Sequence, residues 1–232
     1  MEKENKKENP HAGHRSRMRE KYINSGNLEH LKEHEILEFL LYYCYAQKDT
    51  NEVAHKMIKE FGSFSKLVDA TPREIAKRCN VSERVAILVS LVPHLSKAYL
   101  TGKFNRKDLM SNSKLVGEYC ISLFVGIHYE CFYIICLDTQ RRLLRAELVH
   151  EGGLDSSAVY PRVIVEAALK NHAACIVLAH NHPGGTLMPS KGDMEVTKRL
   201  RAALATVDIE LVDHVIIADN KYYSFIEKKL HF

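Results

Sequence analysis

The segment ACIVLAH, residues 174–180, constrains the fold most, because it is apolar at nearly every position instead of at alternate ones. A strand with this composition is usually buried on both faces of its sheet. Helical patterns flank it, in YPRVIVEAALKNH before it and from about Ser190 to Thr206 after it. A buried strand between two helices predicts an α/β arrangement in which helices cover a sheet.

Other segments of the C-terminal half extend this sheet. CFYIICLD at 131–138 and RLLRAELVHEG at 142–152 are joined by the short polar DTQR turn, which predicts a β-hairpin. IELVDHVIIAD at 209–219 predicts a further strand, and YYSFI predicts a short one after the turn at Asn220. LVGEYCISLFV is helical in pattern. The sequence therefore predicts an α/β sandwich, with one mixed sheet flanked by helices.

The N-terminal half has only helical periodicity, in LEHLKEHEILEFLLYYCY, NEVAHKMIKEFGSFSKLV and VSERVAILVSLVPHLSKAYL. Gly26, Gly62 and the Thr71-Pro72 pair mark helix ends and starts, with Thr71 as an N-cap. The polar stretch TGKFNRKDLMSNSK interrupts the periodicity. We therefore predict a disordered tail at 1–13, a helical domain at 14–100, a linker at 101–112 and an α/β domain at 113–232.

Composition narrows the class of protein. The net charge of +4, most of it in the first 21 residues, is well short of the concentrated positive field of a dedicated nucleic-acid-binding protein. We find no signal peptide and no apolar run of the roughly 18–20 residues that cross a bilayer. The six cysteines form no CxxC pair, and several lie in apolar segments, which is typical of free thiols in a reducing compartment. We expect a cytoplasmic protein without a membrane partner.

The loop HNHPGGTLMPSKGD follows the central strand and carries a candidate metal site. His180 and His182 are two positions apart at a strand end, so their side chains point to the same side and can converge on one ion. Asp193 lies in the first turn of the next helix and can supply a third ligand. Three protein ligands leave one tetrahedral position open, as in catalytic zinc sites. Cobalt or iron could bind the same set.

A purely structural interpretation also fits part of this loop. Ser190-x-x-Asp193 has the spacing of a helix N-terminal cap, and an aspartate in the first helical turn is favourable without any metal. The histidine pair alone is weak evidence for a site. The combination of paired histidines, a turn and an aspartate at a helix start favours metal binding.

These residues resemble a known family. His180-x-His182, seven residues and then Ser190-x-x-Asp193 match the JAMM motif of the MPN+ (JAB) metallopeptidase superfamily. HNHP together with PSxxD resembles the RadC family (UPF0758) of that superfamily, and the likeness extends over roughly residues 110–227. The resemblance implies an MPN/JAB domain of the cytidine deaminase-like type. It also implies a small all-helical domain, similar to helix-hairpin-helix modules, before the catalytic domain.

The resemblance implies a zinc-dependent hydrolase, with one zinc ion per chain, that cuts an amide or isopeptide bond of a protein or peptide. It assigns His180, His182 and Asp193 as ligands and Ser190 as a donor to the oxyanion of the reaction. It assigns the general base to Glu147. Glu151 remains an alternative base, because regular pairing would place it on the same strand face.

Four other residues are left outside the site. His214, in the apolar segment LVDHVIIAD, is expected to be a hydrogen-bonded core residue, and Asp213, His150 and His172 are left outside with it.

A competing function is a DNA-repair-associated DNA-binding protein whose metal site is vestigial or nucleolytic. Helix-hairpin-helix modules approach phosphates through glycine-containing turns, but KRCNVSERVA at 77–86 contains no glycine. Arg15, Arg17, Arg19 and Lys21 are candidate phosphate contacts, although a solvated basic face is the favoured interpretation. The sequence therefore favours the hydrolase.

Overall fold

The structure is a computed structural model that describes residues 13–46, 49–104, 110, 112–152 and 160–230. It divides into two compact units, Met1–His94 and Leu95–Phe232. The predicted tail lies outside the described residues except for Gly13, and so does the predicted linker except for residues 101–104, 110 and 112. The four-part domain division stays a prediction.

The first unit is helical, as the periodicity predicts. Its helices are α1 (His14–Ser25), α2 (Glu33–Leu41), α3 (Asn51–Phe61), α4 (Phe64–Val68), α5 (Pro72–Cys79) and α6 (Glu83–Gly102), the last of which continues into the second unit. Gly62 ends α3 in the left-handed conformation, with φ of 88°. Thr71 caps α5 in a capping box with Glu74, which confirms the predicted helix start.

The turn between α5 and α6 departs from a glycine hairpin. Asn80 occupies it in the left-handed conformation, with φ of 52°. Asparagine tolerates this conformation better than other non-glycine residues, so the turn forms without glycine. Its side chain nevertheless occupies space that a glycine would leave to an approaching phosphate.

One described helix, α6, is long and apolar enough to cross a membrane by length and composition, although the sequence led us to expect no apolar run of that length. Its residues Val85, Ala86 and Val89 are buried in the hydrophobic core of the first unit. Only 22% of its apolar window is buried inside the structure, and a single helix of this kind is weak evidence for a membrane span.

The second unit is an α/β domain built on a five-stranded sheet. After α6 it contains α7 (Ser113–Leu123), β1 (Cys131–Leu137), β2 (Leu143–Glu151), α8 (Pro161–Lys170), β3 (Cys175–Asn181), α9 (Lys191–Ala205), β4 (Glu210–Ala218) and β5 (Lys221–Ser224). The strand order is β2-β1-β3-β4-β5. Strands β3 and β4 are parallel and the other pairs antiparallel, which confirms the predicted mixed sheet.

Each face of the sheet has its own apolar core. Phe132, Ile134 and Leu178 belong to a cluster that includes residues of α8 and α9. Tyr133 and Val177 belong to the opposite cluster, with residues of α7. Because side chains alternate along a strand, His180 projects to the same face as Leu178. We call this the α9 face.

An irregularity in β2 separates the two glutamates that regular pairing would place together. Glu147 pairs with Ile134, but the register shifts between Phe132 and Tyr133, so that Glu151 pairs with Cys131. Ile134 faces α9, whereas Cys131 belongs to the opposite cluster. Directly paired residues share a face, so Glu147 lies on the α9 face and Glu151 on the other.

Candidate metal centre

Three side chains converge beyond the end of β3. The Nε2 atoms of His180 and His182 are 2.9 Å apart. His180 Nε2 lies 3.2 Å from Asp193 Oδ1, and His182 Nε2 lies 3.6 Å from Asp193 Oδ2. One ligand atom from each residue lies within 4.8 Å of the others. The structure thus brings together the three residues that the sequence analysis selected as ligands.

Local structure at the end of β3 positions the two histidines. Asn181, between them, points to the other side: its Oδ1 accepts a hydrogen bond from the Cys131 amide and its Nδ2 donates to the Tyr129 carbonyl, each at 2.8 Å. The His182 amide donates to the Ile217 carbonyl at 2.8 Å, which continues the pairing with β4. Backbone pairing therefore holds His182 even though it follows the last residue of β3.

The N-terminus of α9 brings the aspartate to the histidines. Ser190 Oγ accepts a hydrogen bond from the Asp193 amide at 3.1 Å, and the Ser190 amide donates to Asp193 Oδ2 at 2.7 Å. This reciprocal capping box fixes the first turn of the helix. The capping and metal-site interpretations are therefore compatible, because one carboxylate both caps the helix and faces the histidines.

The donor set suits a cation. His182 Nδ1 lies 2.6 Å from the Thr186 carbonyl oxygen, which can only accept, so Nδ1 carries a proton. In the neutral ring Nε2 is then a bare electron-pair donor, and it faces the carboxylate oxygens of Asp193. Imidazole nitrogens and a carboxylate at this separation fit a divalent ion of the zinc type.

The pKa values of the cluster show how the three groups act on one another. Burial lowers the pKa of His180, whose side chain is 0% exposed, although Asp193 acts in the opposite direction. The hydrogen bond to Asp193 raises the pKa of His182. Burial raises the pKa of Asp193, but its contacts with His180, His182 and Ser190 outweigh burial and hold that pKa well below its usual range. The Asp193 carboxyl group is thus held in its ionised form, which is the form that binds a metal.

A second layer of side chains lies behind the cluster. His180 Nδ1 is 2.8 Å from His214 Nε2, and His214 Nδ1 is 2.6 Å from Thr197 Oγ1. Thr197 Oγ1 donates to the Asp193 carbonyl oxygen at 2.5 Å. His214 and Thr197 are both 0% exposed. His214 is the buried, hydrogen-bonded core histidine that the sequence analysis expected, but its partner is a candidate ligand.

Glu147 has other partners than the cluster. Asn171 Nδ2 donates to Glu147 Oε2 at 2.6 Å, and Lys170 Nζ lies 3.8 Å from Glu147 Oε1. Both partners lie at the C-terminal end of α8. Its assignment as general base stays a prediction.

The residue of β2 that is level with His180 is His150, because both pair with Phe132. His150 Nε2 is buried and has no hydrogen-bond partner among the described residues. On the same face of the sheet, the next residue pair between β1 and β2 consists of Ile134 and Glu147.

The mixed sheet, the paired histidines at its central strand end and the aspartate at a helix start together define a class of protein, the JAB-type α/β domain with a candidate metal site. A family model described as the RadC-like JAB domain matches residues 110–230. The chain belongs to this family.

Relatives match nearly the whole chain. A UPF0758 protein of Aliivibrio fischeri is 34% identical over 213 residues, which are 92% of this chain and 95% of that protein. A UPF0758 protein of Vibrio parahaemolyticus is 34% identical over 210 residues, 90% of this chain and 93% of that protein. The UPF0758 protein of Vibrio campbellii is 33% identical over the same shares. These names state no activity.

Proposed function

We propose that the protein is a zinc metallopeptidase that hydrolyses an amide or isopeptide bond of a protein or peptide. The observation that carries the proposal is the convergence of His180 Nε2, His182 Nε2 and the Asp193 carboxylate at the end of β3. When bound there, a zinc ion lowers the pKa of a water molecule to about 7 and polarises the carbonyl of the scissile bond.

The number of ligands and their exposure favour a catalytic over a structural site. The group has three members in the described part of the chain, which is one fewer than a closed tetrahedral zinc site needs. The His182 side chain is 17% exposed, whereas that of His180 is 0% exposed. The His182 side of the site is thus the more exposed one, from which a substrate can approach.

Ser190 is proposed to stabilise negative charge on the carbonyl oxygen of the substrate. Its Oγ accepts the Asp193 amide, so the hydroxyl proton remains available for donation. The capping box fixes the serine backbone next to the ligand carboxylate. A preorganised donor of this kind contributes about 3–4 kcal/mol to transition-state stabilisation in serine proteases.

Glu147 is proposed as the general base, which takes a proton from the attacking water and returns it to the leaving amine. Its position on the α9 face, the face of His180, supports this role over Glu151. The hydrogen bond to Asn171 holds the carboxylate in the present structure. That hydrogen bond uses only Oε2, so the other carboxylate oxygen can still accept a proton.

Metal analysis tests the proposal most directly. We expect about one zinc ion per purified chain and little in the Asp193→Ala variant, because a carboxylate ligand is lost. Lys198→Ala, an exposed change on the same helix, is the matched control and should retain the metal. Purified protein that binds no zinc in solution would refute the metallopeptidase.

The substrate is sought by mapping new N-termini in a cell extract treated with the zinc-loaded protein. A parallel sample with Glu147→Gln is the control, because this variant keeps the ligands and loses the proposed base. Termini that appear with the active protein alone identify the cleaved bonds. Equal termini in both samples would contradict a role for Glu147.

The DNA-binding alternative has less support in the helical unit. Arg15, one of its candidate phosphate contacts, donates to the Tyr45 and Ala46 carbonyls at 2.6 and 2.8 Å. It also lies over the Tyr42 ring. A steep fall of DNA affinity with salt concentration would favour this alternative.

A further inference from the structure

We propose that His214 and Thr197 are positioning residues that fix the tautomer of His180, so that its Nε2 atom presents an electron pair to the metal. The inference rests on the proposed metal site and adds two residues that act through a ligand.

The donor and acceptor of each hydrogen bond can be deduced by starting from Thr197. Its Oγ1 lies 2.5 Å from the Asp193 carbonyl oxygen and 2.6 Å from His214 Nδ1. A carbonyl oxygen cannot donate, so the single hydroxyl proton of Thr197 is used in the contact with Asp193. Thr197 Oγ1 can then only accept from His214. The proton of that second contact must therefore lie on His214 Nδ1.

The same reasoning shows which ring nitrogen carries the proton in His214 and then in His180. His214 is 0% exposed, and neither of its two ring nitrogens is hydrogen-bonded to a carboxylate. Burial therefore keeps the ring neutral. A neutral imidazole with a proton on Nδ1 has a bare Nε2, which accepts. His180 Nδ1, at 2.8 Å, must supply the proton of this contact. His180 Nε2 is thereby left bare, and it is the atom that faces His182 and Asp193.

Packing holds this chain of hydrogen bonds in place. The His214 ring contacts Phe225 at 4.9 Å and Phe132 at 5.7 Å between ring centroids. The His180 ring stacks on Phe132 at 5.8 Å, with an interplanar angle of 9°. Since Thr197 and Asp193 lie one turn apart on α9, the helix that supplies the carboxylate ligand also fixes the histidine ligand.

The two histidine ligands are oriented in different ways. His182 Nδ1 donates to a backbone carbonyl in the following loop, whereas His180 depends on side chains from β4 and α9. Residues that orient a metal-bound histidine typically change metal affinity by about 10–100-fold when they are removed. The hydroxyl of Thr197 is therefore expected to matter for zinc affinity although it does not contact the ion.

The first test is the tautomer itself, measured by long-range proton–nitrogen NMR on metal-free protein labelled at histidine nitrogens. Above the titration range of histidine, we expect His180 and His214 both to carry their proton on Nδ1. A proton on Nε2 of either ring overturns the inference, whatever the protein hydrolyses. This measurement needs no variant and no metal.

The second test compares Thr197→Val with Thr197→Ser. The valine variant has nearly the same shape but no acceptor, so we expect mixed tautomers of His214 and about 10–100-fold weaker zinc binding. The serine variant keeps the hydroxyl and should restore both. Wild-type tautomers and affinity in the valine variant would overturn the inference. If that variant does not fold, His214→Phe, which keeps an aromatic ring and removes the acceptor of His180, takes its place.

The outcomes separate this inference from the proposed function. Wild-type protein that binds no zinc refutes the metallopeptidase, while the tautomer measurement still decides the direction of the hydrogen bonds. If the wild type binds zinc and Thr197→Val binds it equally tightly, the positioning role is refuted and the proposed metallopeptidase is not.

Discussion

At the scale of single residues, Asp193 combines two roles that substitutions can separate. Its carboxylate caps α9 by accepting the Ser190 amide and also faces both histidines. We expect Asp193→Asn to lose zinc but keep most of the cap, because the amide oxygen can still accept. Asp193→Ala should lose zinc and also the carboxylate half of the capping box, with a further fall of about 0.5–2 kcal/mol in the free energy of unfolding of the metal-free protein.

Chemical denaturation in the presence of a chelator measures the capping part, and metal titration measures the ligand part. Zinc bound by the asparagine variant with wild-type affinity would exclude Asp193 as a ligand. Equal stability of the alanine variant and the wild type would exclude the cap.

The two glutamates of β2 give a second prediction. Glu147 shares the sheet face of His180, whereas Glu151 is on the other face and accepts a hydrogen bond from the Tyr129 hydroxyl at 3.0 Å. We expect Glu147→Gln to reduce hydrolysis by about 100-fold or more and Glu151→Gln to leave it nearly unchanged, with zinc retained in both. The reverse pattern would make Glu151 the base.

The sequence alone identifies the cluster but not the residues behind it. His180, His182 and Asp193 lie within one short segment, where strand alternation and a helix start predict their convergence. His214 is 34 residues from His180, and β4 is buried along most of its length, so both of its faces are covered. No alternation therefore indicates which face His214 occupies, and its contact with His180 depends on the register of β3 against β4.

At the scale of elements, helices and strands are well predicted because their patterns are local, whereas the irregular pairing of β2 is not. The DTQR turn and the two apolar runs predict the β1–β2 hairpin, which the structure confirms. The shift that separates Glu147 from Glu151 involves an extra residue near Val149. Val149 packs in the α9-face cluster like other apolar strand residues, so its composition does not reveal the shift.

The end of β3 gives a prediction at this scale. Asn181 is 5% exposed and satisfies two backbone groups near the start of β1, the Cys131 amide and the Tyr129 carbonyl. Asn181→Ala leaves both without this partner, which should cost about 2–4 kcal/mol of unfolding free energy. Because β3 carries His180, we also expect weaker zinc binding.

Thermal or chemical unfolding and zinc titration measure the two effects. Asn27→Ala, a change at an exposed asparagine in the helical unit, is the control and should alter neither by much. If Asn181→Ala weakens neither stability nor zinc binding, the two hydrogen bonds do not hold the strand end.

At the scale of the whole molecule, the ligands all belong to one of the two compact units, so zinc should stabilise that unit. An ion that binds only the folded state adds about 2.7 kcal/mol to the free energy of unfolding when its concentration is 100 times its dissociation constant.

We expect chelation to increase hydrogen exchange in β3, β4 and the start of α9. Exchange in helices α3 and α5 of the first unit should remain the same, since the core to which they contribute contains no ligand. Hydrogen exchange measured by mass spectrometry, with Asp193→Ala as the metal-free reference, makes the comparison segment by segment. An equal increase in both units would show that the metal stabilises the chain as one cooperative body, whereas no increase in either would show that the folded α/β unit does not depend on the ion.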